Sequence, residues 1–278
     1  MNRKQRVIWS DNGTLKDVSA ELNDYRRGTY VLDLATVDYL YVGSELPFNH
    51  KYFDVSVANA VAANITVETW NGSAWVAAVD VSDETKASGG SATLAQSGLV
   101  TWSPDVDKAN WGCMRDSDDV DGLEGTRIFN LYWARFKVSA NLTGTTALAY
   151  VGQRFSDDTD LTDFYPLLSS SALKAGYGVS DWKYPSFAAA EAIVADLRAD
   201  EVVIRRDQIL DVSLFKMASV HKTAAIIFGG LTGQAENEKR ADEKYRKALS
   251  LKYFEVDTDG DGQATAAEKT MTTGFARR

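Results

Sequence analysis

Residues 257–268 read DTDGDGQATAAE, a run of oxygen-bearing side chains at alternate positions. A twelve-residue calcium loop needs oxygen ligands at positions 1, 3, 5, 9 and 12, a glycine at 6 and a backbone carbonyl at 7. Asp257, Asp259, Asp261, Gly262, Gln263, Thr265 and Glu268 fill those places in order. Calcium is a hard cation that takes six to eight oxygens, and Glu268 can offer both of its own. The loop therefore predicts structural Ca2+ held by Asp257, Asp259, Asp261, Gln263, Thr265 and Glu268. Position 8, where paired loops carry Ile, Val or Leu, is Ala264, and no second loop occurs. Sensors use paired hands that open a groove on binding. A lone loop followed so soon by Gly274 reads as a clip that pins a terminal tail, not as a switch.

Other reactive constellations are missing. The sequence contains no GxSxG, GxxxxGK[ST], HExxH or paired CxxC. Its single cysteine, Cys113, excludes an internal disulfide framework and a cysteine-based zinc site. Only His50 and His221 could serve as an imidazole base, and neither lies in a motif. The acidic stretch DSDDVDG at 116–122 has the wrong spacing for metal, because its fifth position is Val120; it is expected to be a solvated loop. No carboxylate pair stands out for glycosidase work. The Asn-x-Ser/Thr triplets at Asn12, Asn64, Asn71 and Asn141 read as turn and strand chemistry. These features together predict no enzyme.

Charge narrows the partners. Residues 1–165 hold 23 acidic against 14 basic residues, while 166–278 hold 16 of each, so the first part carries the whole net charge of −9. Phosphate contacts with nucleic acid require a basic face, which this balance does not supply. No apolar run approaches the ~18 residues of a membrane span, and the first residues lack an apolar signal core, so neither insertion nor export is expected.

Two grammars of hydrophobic spacing divide the chain. Up to about residue 165 it alternates as strands do. NITVETWNGSAWVAAVDV joins two β-rich runs at Asn71-Gly72, a hairpin signal, with Ile65, Val67 and Thr69 on one face. GLVTWSP at 98–104 and RIFNLYWARFKVSANL at 127–142 read as further strands, the second covered on both faces. Five of the seven tryptophans lie between residues 70 and 133, as expected of aromatics filling a sandwich. Thereafter the spacing is helical: Phe187, Ala190, Val194 and Leu197 after an N-cap at Ser186, then a dense apolar helix from Ile209 to Phe228 stopped by Gly229-Gly230. A third, polar helix carries the pairs Glu236–Arg240, Asp242–Arg246 and Glu243–Lys247, with Ala241, Tyr245 and Ala248 as its inner stripe. The expected fold class is α+β: an N-terminal antiparallel β-sandwich or barrel (1–165), then a C-terminal α-helical bundle (166–278) with one EF-hand-like loop.

Several phrases carry a resemblance. YLYVGSELPFN, VETWNGSAWVAA, SGLVTWSPD and LYWARFKVSANLTG followed by LAYVG resemble the β-domains of tailed-phage structural proteins. AAAEAIVADLR, VHKTAAIIFGGL and RADEKYRKALSLKYFEVDTDGDG are similar to the helical head–tail connector, or adaptor, proteins of the phage neck, here with an added N-terminal β-domain. The resemblance implies a structural virion protein made in the host cytoplasm. It also implies a homo-oligomeric ring, a dodecamer, between the portal protein and a tail or stopper protein. Genomic DNA would pass without specific binding, and no membrane is involved. A collar or baseplate role, or a non-catalytic carbohydrate-binding β-sandwich, is the alternative. The last would need Trp70, Trp75, Trp102, Trp111 or Trp133 exposed together on one flat face, whereas a sandwich core is expected to take most of them.

Overall fold

A computed structural model describes residues 5–103, 111–200, 203 and 206–250. The calcium-loop residues Asp257 to Glu268 lie outside the described residues. The chain falls into two compact units, meeting in sequence between Gly152 and Gln153. It is mixed α+β, with antiparallel sheets at the N-terminal side and helices at the C-terminal side, as the change of spacing predicts.

The first unit is built from two sheets. The larger contains β1 (Arg6–Asp11), β2 (Thr14–Asp17), β4 (Tyr39–Ser44), β6 (Ile65–Trp70), β7 (Trp75–Ala77) and β11 (Leu131–Val138) in the order β2-β1-β4-β11-β6-β7, with β10 (Cys113–Met114) also paired to β11. The smaller contains β3 (Tyr30–Val31), β5 (His50–Val57), β8 (Val79–Asp83), β9 (Gly98–Ser103) and β12 (Ala147–Gly152) in the order β3-β12-β5-β9-β8. Between the sheets lies one core, where Val67 and Phe136 of the larger sheet meet Phe53, Val100, Trp102 and Leu148 of the smaller. Phe53 and Phe136 touch edge to face at 5.3 Å. Each such side chain contributes about 1.5–3 kcal/mol by leaving water. Ile65, Val67 and Thr69 are all buried, so alternation there assigned the inner face correctly.

Two strand readings need adjustment. The hairpin at Asn71-Gly72 spans four residues, since Trp70 pairs with Trp75. Asn71 Oδ1 accepts from the Ser73 and Ala74 amides at 2.9 and 2.7 Å and from the Ser73 hydroxyl at 3.0 Å, which fixes the turn. β11 begins at Leu131 rather than Arg127, because Arg127 and Asn130 have positive φ and turn the chain away from the ladder. Both faces of β11 are nevertheless covered, Ala134 and Phe136 inside and Leu131 and Trp133 outside.

After the short α1 (Ser19–Leu22) of the first unit, the second unit contains α2 (Asp158–Phe164), α3 (Ser171–Tyr177), α4 (Lys183–Ala199), α5 (Lys216–Gly229) and α6 (Ala235–Leu249). α5 packs against both α4 and α6, the central place its apolar sequence predicts. It has 14 residues instead of about 20, since a 3-10 turn at Val212–Phe215, capped by Asp211 at the Ser213 amide, precedes it. α4 opens at Lys183, so Ser186 is not its N-cap: the Ser186 hydroxyl accepts from Arg154 Nε at 3.0 Å and donates to the Ser156 carbonyl at 2.7 Å. Pro185 is tolerated because it sits in the first turn. Phe187, Ala190, Val194 and Leu197 are buried, as their spacing requires, and so are Ala241 and Tyr245 of α6. The pairs Glu236–Arg240 and Asp242–Arg246 form at 3.1 and 2.8 Å. Among the described residues, no helix is long and apolar enough to cross a membrane.

Candidate functional site

The outer face of the larger sheet carries most of the first unit's unusual side chains. Strand alternation brings Ile8, Tyr41, Trp70 and Trp133 to this face, where they form a second buried cluster. Its cover is the acidic segment 115–130, which buries Val120 and Leu123 completely. That segment is not the solvated loop expected from its charge. Asp116 accepts from the Asp118 amide at 3.1 Å, and Asp118 from the Gly125 and Arg127 amides at 2.9 and 3.2 Å. Its carboxylates thus hold a lid in shape, while two apolar residues seal it to the sheet.

Gly122 is the closest point of that seal. It has φ +87°, and a Cβ built there would lie 2.3 Å from the Tyr41 hydroxyl. Gly122→Ala is expected to destabilise the first unit by about 1–3 kcal/mol, through overpacking and the left-handed backbone together. Urea unfolding followed by tryptophan fluorescence checks this; an unchanged midpoint would show that the lid is not seated on Tyr41.

Beside the lid, Arg135 lies between two rings, its guanidinium 4.3 Å from the Tyr39 centroid and 4.6 Å from that of Trp75. Arg135 Nε also meets Glu68 Oε2 at 2.5 Å. Trp75 Nε1 donates to the Asp121 carbonyl at 2.9 Å, tying this stack to the lid. Burial pushes the Tyr41 hydroxyl up to about 12, with Arg135 opposing the rise, so Tyr41 stays protonated at neutral pH. The cation is neutralised by Glu68 and the phenol keeps its proton, so the cluster supplies packing and orientation.

At the other end of the lid an open groove of about 510 Å³ runs between the β1–β2 hairpin and residues 126–131. Ile8, Leu15 and Leu131 line it with apolar surface, and Arg6 and Arg127 stand on its rim. Phe129, 55% exposed, projects from the short segment flanked by the positive-φ residues Arg127 and Asn130. Nothing local in the sequence marks this groove; it arises from the docking of the lid.

The remaining candidates are dispersed. Trp70, Trp102 and Trp133 are buried, and Trp75 and Trp111 are half-buried. These five therefore do not form the flat exposed platform that stacking on sugar rings requires. Cys113 is exposed on β10, and desolvation by its neighbours raises its thiol above the usual value. His50 is buried on β5, its Nδ1 2.8 Å from Asn49 Oδ1, and His221 is buried on α5. Among the described residues, no three His, Cys, Asp or Glu side chains converge as a metal site. The calcium ligands expected at 257–268 are outside the described residues. In comparison with known proteins, no family model, no curated protein and no solved structure matches this chain.

Proposed function

We propose that the chain is a non-enzymatic structural protein of a tailed-phage virion, a ring-forming head–tail connector that joins capsid to tail beneath the portal. The observation that carries this proposal is where the resembling phrases fall. VETWNG covers the end of β6 and the start of its turn, SGLVTWS covers β9, LYWARFKV is β11 and LAYVG ends β12. In the second unit AAAEAIVADLR lies in α4, VHKTAAIIFGG in α5 and RADEKYRKAL in α6. The central parts of these phrases thus fall on elements that carry the cores, with the β-domain standing in front of the helices.

The charge supports the same place. A net charge of −9 offers passing DNA few phosphate contacts. Partners on this proposal are further copies of the chain, a portal protein and a tail or stopper protein. Ca2+ on Asp257, Asp259, Asp261, Gln263, Thr265 and Glu268 would hold the tail that follows α6 in a defined place for docking.

Immunogold electron microscopy with antibodies against the first unit tests the proposal on tailed particles carrying this protein. Gold at the junction of head and tail is the expected result. Gold at the distal end of the tail moves the protein to the baseplate. Unlabelled particles, with a control for epitope access, overturn the virion assignment.

A further inference from the structure

His221, the single histidine beyond residue 152, is enclosed by aromatic side chains of one short segment. Its Nδ1 lies 2.8 Å from the Tyr165 hydroxyl. Tyr165 caps the C-terminus of α2, and Pro166 then begins a 3-10 turn, Pro166–Ser169. Phe164 and Tyr165 meet the imidazole edge-on at 6.3 and 5.8 Å, and Phe228 of α5 meets the Tyr165 ring at 5.9 Å. Burial pushes the Tyr165 hydroxyl up to about 12, so the phenol keeps its proton and can donate to Nδ1 of the neutral imidazole; in that tautomer the imidazole proton sits on Nε2.

Among the described residues, the charged groups around this contact offer an imidazolium no anion of its own. On α2, Asp158 is paired with Arg154 and Lys174, Asp160 with Lys216 of α5, and Asp163 is exposed. The 3-10 turn reads PLLS and has no titratable side chain. On α5, Lys222 is paired with Asp242 of α6. From α6, Lys244 reaches over the Tyr165 ring, its Nζ 5.5 Å from the centroid. Among the described residues, the charge that acts on His221 is that of Lys244, which has the same sign as a protonated histidine.

We propose that His221 is an acid-sensitive latch that holds residues 158–169 against α5 when neutral and releases them when protonated. A proton on Nδ1 replaces the acceptor with a donor facing the Tyr165 O–H, and it leaves a positive charge among Phe164, Tyr165, Phe228 and Lys244. Burial, and then Lys244, lower the affinity of His221 for that proton, so the latch is shut at neutral pH. The folded value is below the unfolded one. The stabilisation is therefore full above the ordinary histidine value of about 6.5, falls as pH drops through it, and levels off below the lowered value. Release uncovers Leu161 and Leu168, now buried, next to Phe164 and Leu167, already 53% and 52% exposed. The latch does not depend on a place in a virion.

Hydrogen exchange of the full chain, read by mass spectrometry from about pH 8 to about pH 5 with intrinsic rates removed, tests the latch. Wild-type protection over residues 158–169 is expected to fall by up to about tenfold per pH unit below about 6.5, while α4 keeps its own. His221→Gln, which cannot titrate, should flatten that slope. A pH-independent wild-type segment, or an equal slope in His221→Gln, overturns the proposal. Should the variant not fold, the imidazole resonance of wild-type His221, distinguished from that of His50 by His50→Gln, decides. A titration midpoint at or above about 6.5 overturns the latch, and one below it supports it.

Discussion

Trp182→Ala is expected to cost the helical unit about 3–5 kcal/mol, the largest loss from any single side chain there. Trp182 is fully buried, between the Pro166–Ser169 turn and the helices behind it. Its Nε1 donates to the Leu168 carbonyl at 2.8 Å, and its ring meets Tyr177 at 5.3 Å, 77° from parallel. Truncation removes the packing, leaves a cavity and strands a buried carbonyl. Trp182→Phe keeps much of the volume but not the indole donor, and about 1–3 kcal/mol is expected for the orphaned acceptor. The two units need not unfold in one transition, so the probe matters. Trp182 is the sole tryptophan beyond residue 152, and the other six report on the first unit. Ellipticity at helical wavelengths should show the destabilisation, while the fluorescence midpoint serves as an internal control. A loss below about 1 kcal/mol in Trp182→Ala would mean that this core is not packed around the indole.

The same residue explains what local sequence could and could not reveal. The α4 pattern was legible because Phe187, Ala190, Val194 and Leu197 bury one face. Its start was not, because the capping is shared: Asp181, just before the helix, accepts from the Lys183 amide at 3.2 Å, and a second carboxylate comes from elsewhere. The Trp182 amide donates to both oxygens of Asp158, at 3.2 and 3.0 Å, and Asp158 belongs to α2. A cap borrowed from another helix leaves no mark at the position it caps, and Ser186, which looks like one, is spent on Arg154 and Ser156.

In the first unit, period-two spacing exposed the inner face of β6, since Ile65, Val67 and Thr69 alternate with polar or outward residues. The outer face was harder to read. Acidic composition made residues 116–122 look solvated, and only Val120 and Leu123 hinted at a lid whose docking depends on Tyr41 and Trp133 far along the chain. The groove beside Phe129 depends on that docking and on positive φ at Arg127 and Asn130, residues whose identity does not announce it. Long-range contacts created these features, whereas the calcium reading rests on local spacing alone, at residues 257–268 that lie outside the described ones.

Asp257→Ala combined with Glu268→Ala is expected to abolish calcium binding. On the sequence reading, affinity would come from hard anionic oxygens, with Glu268 able to supply two of them and Asp257 the first. The double variant retains Asp259 and Asp261 as carboxylate ligands, too few to replace calcium's hydration shell. Calorimetric titration should give heat with a stoichiometry of one ion per wild-type chain and none for the variant. An identical isotherm would remove calcium from these residues. Ligand linkage supplies an independent readout: at about one hundred times Kd, calcium should add about 2.7 kcal/mol to whatever unfolding releases it. The wild type should gain thermal stability that a chelator removes, and the variant should match the chelated protein. Ala264 in place of a β-branched pairing residue, with no second loop, also predicts a simple hyperbolic titration. Cooperative binding needs a second site coupled to the first, and within one chain the sequence offers none. A sigmoidal titration would therefore place the coupling between chains.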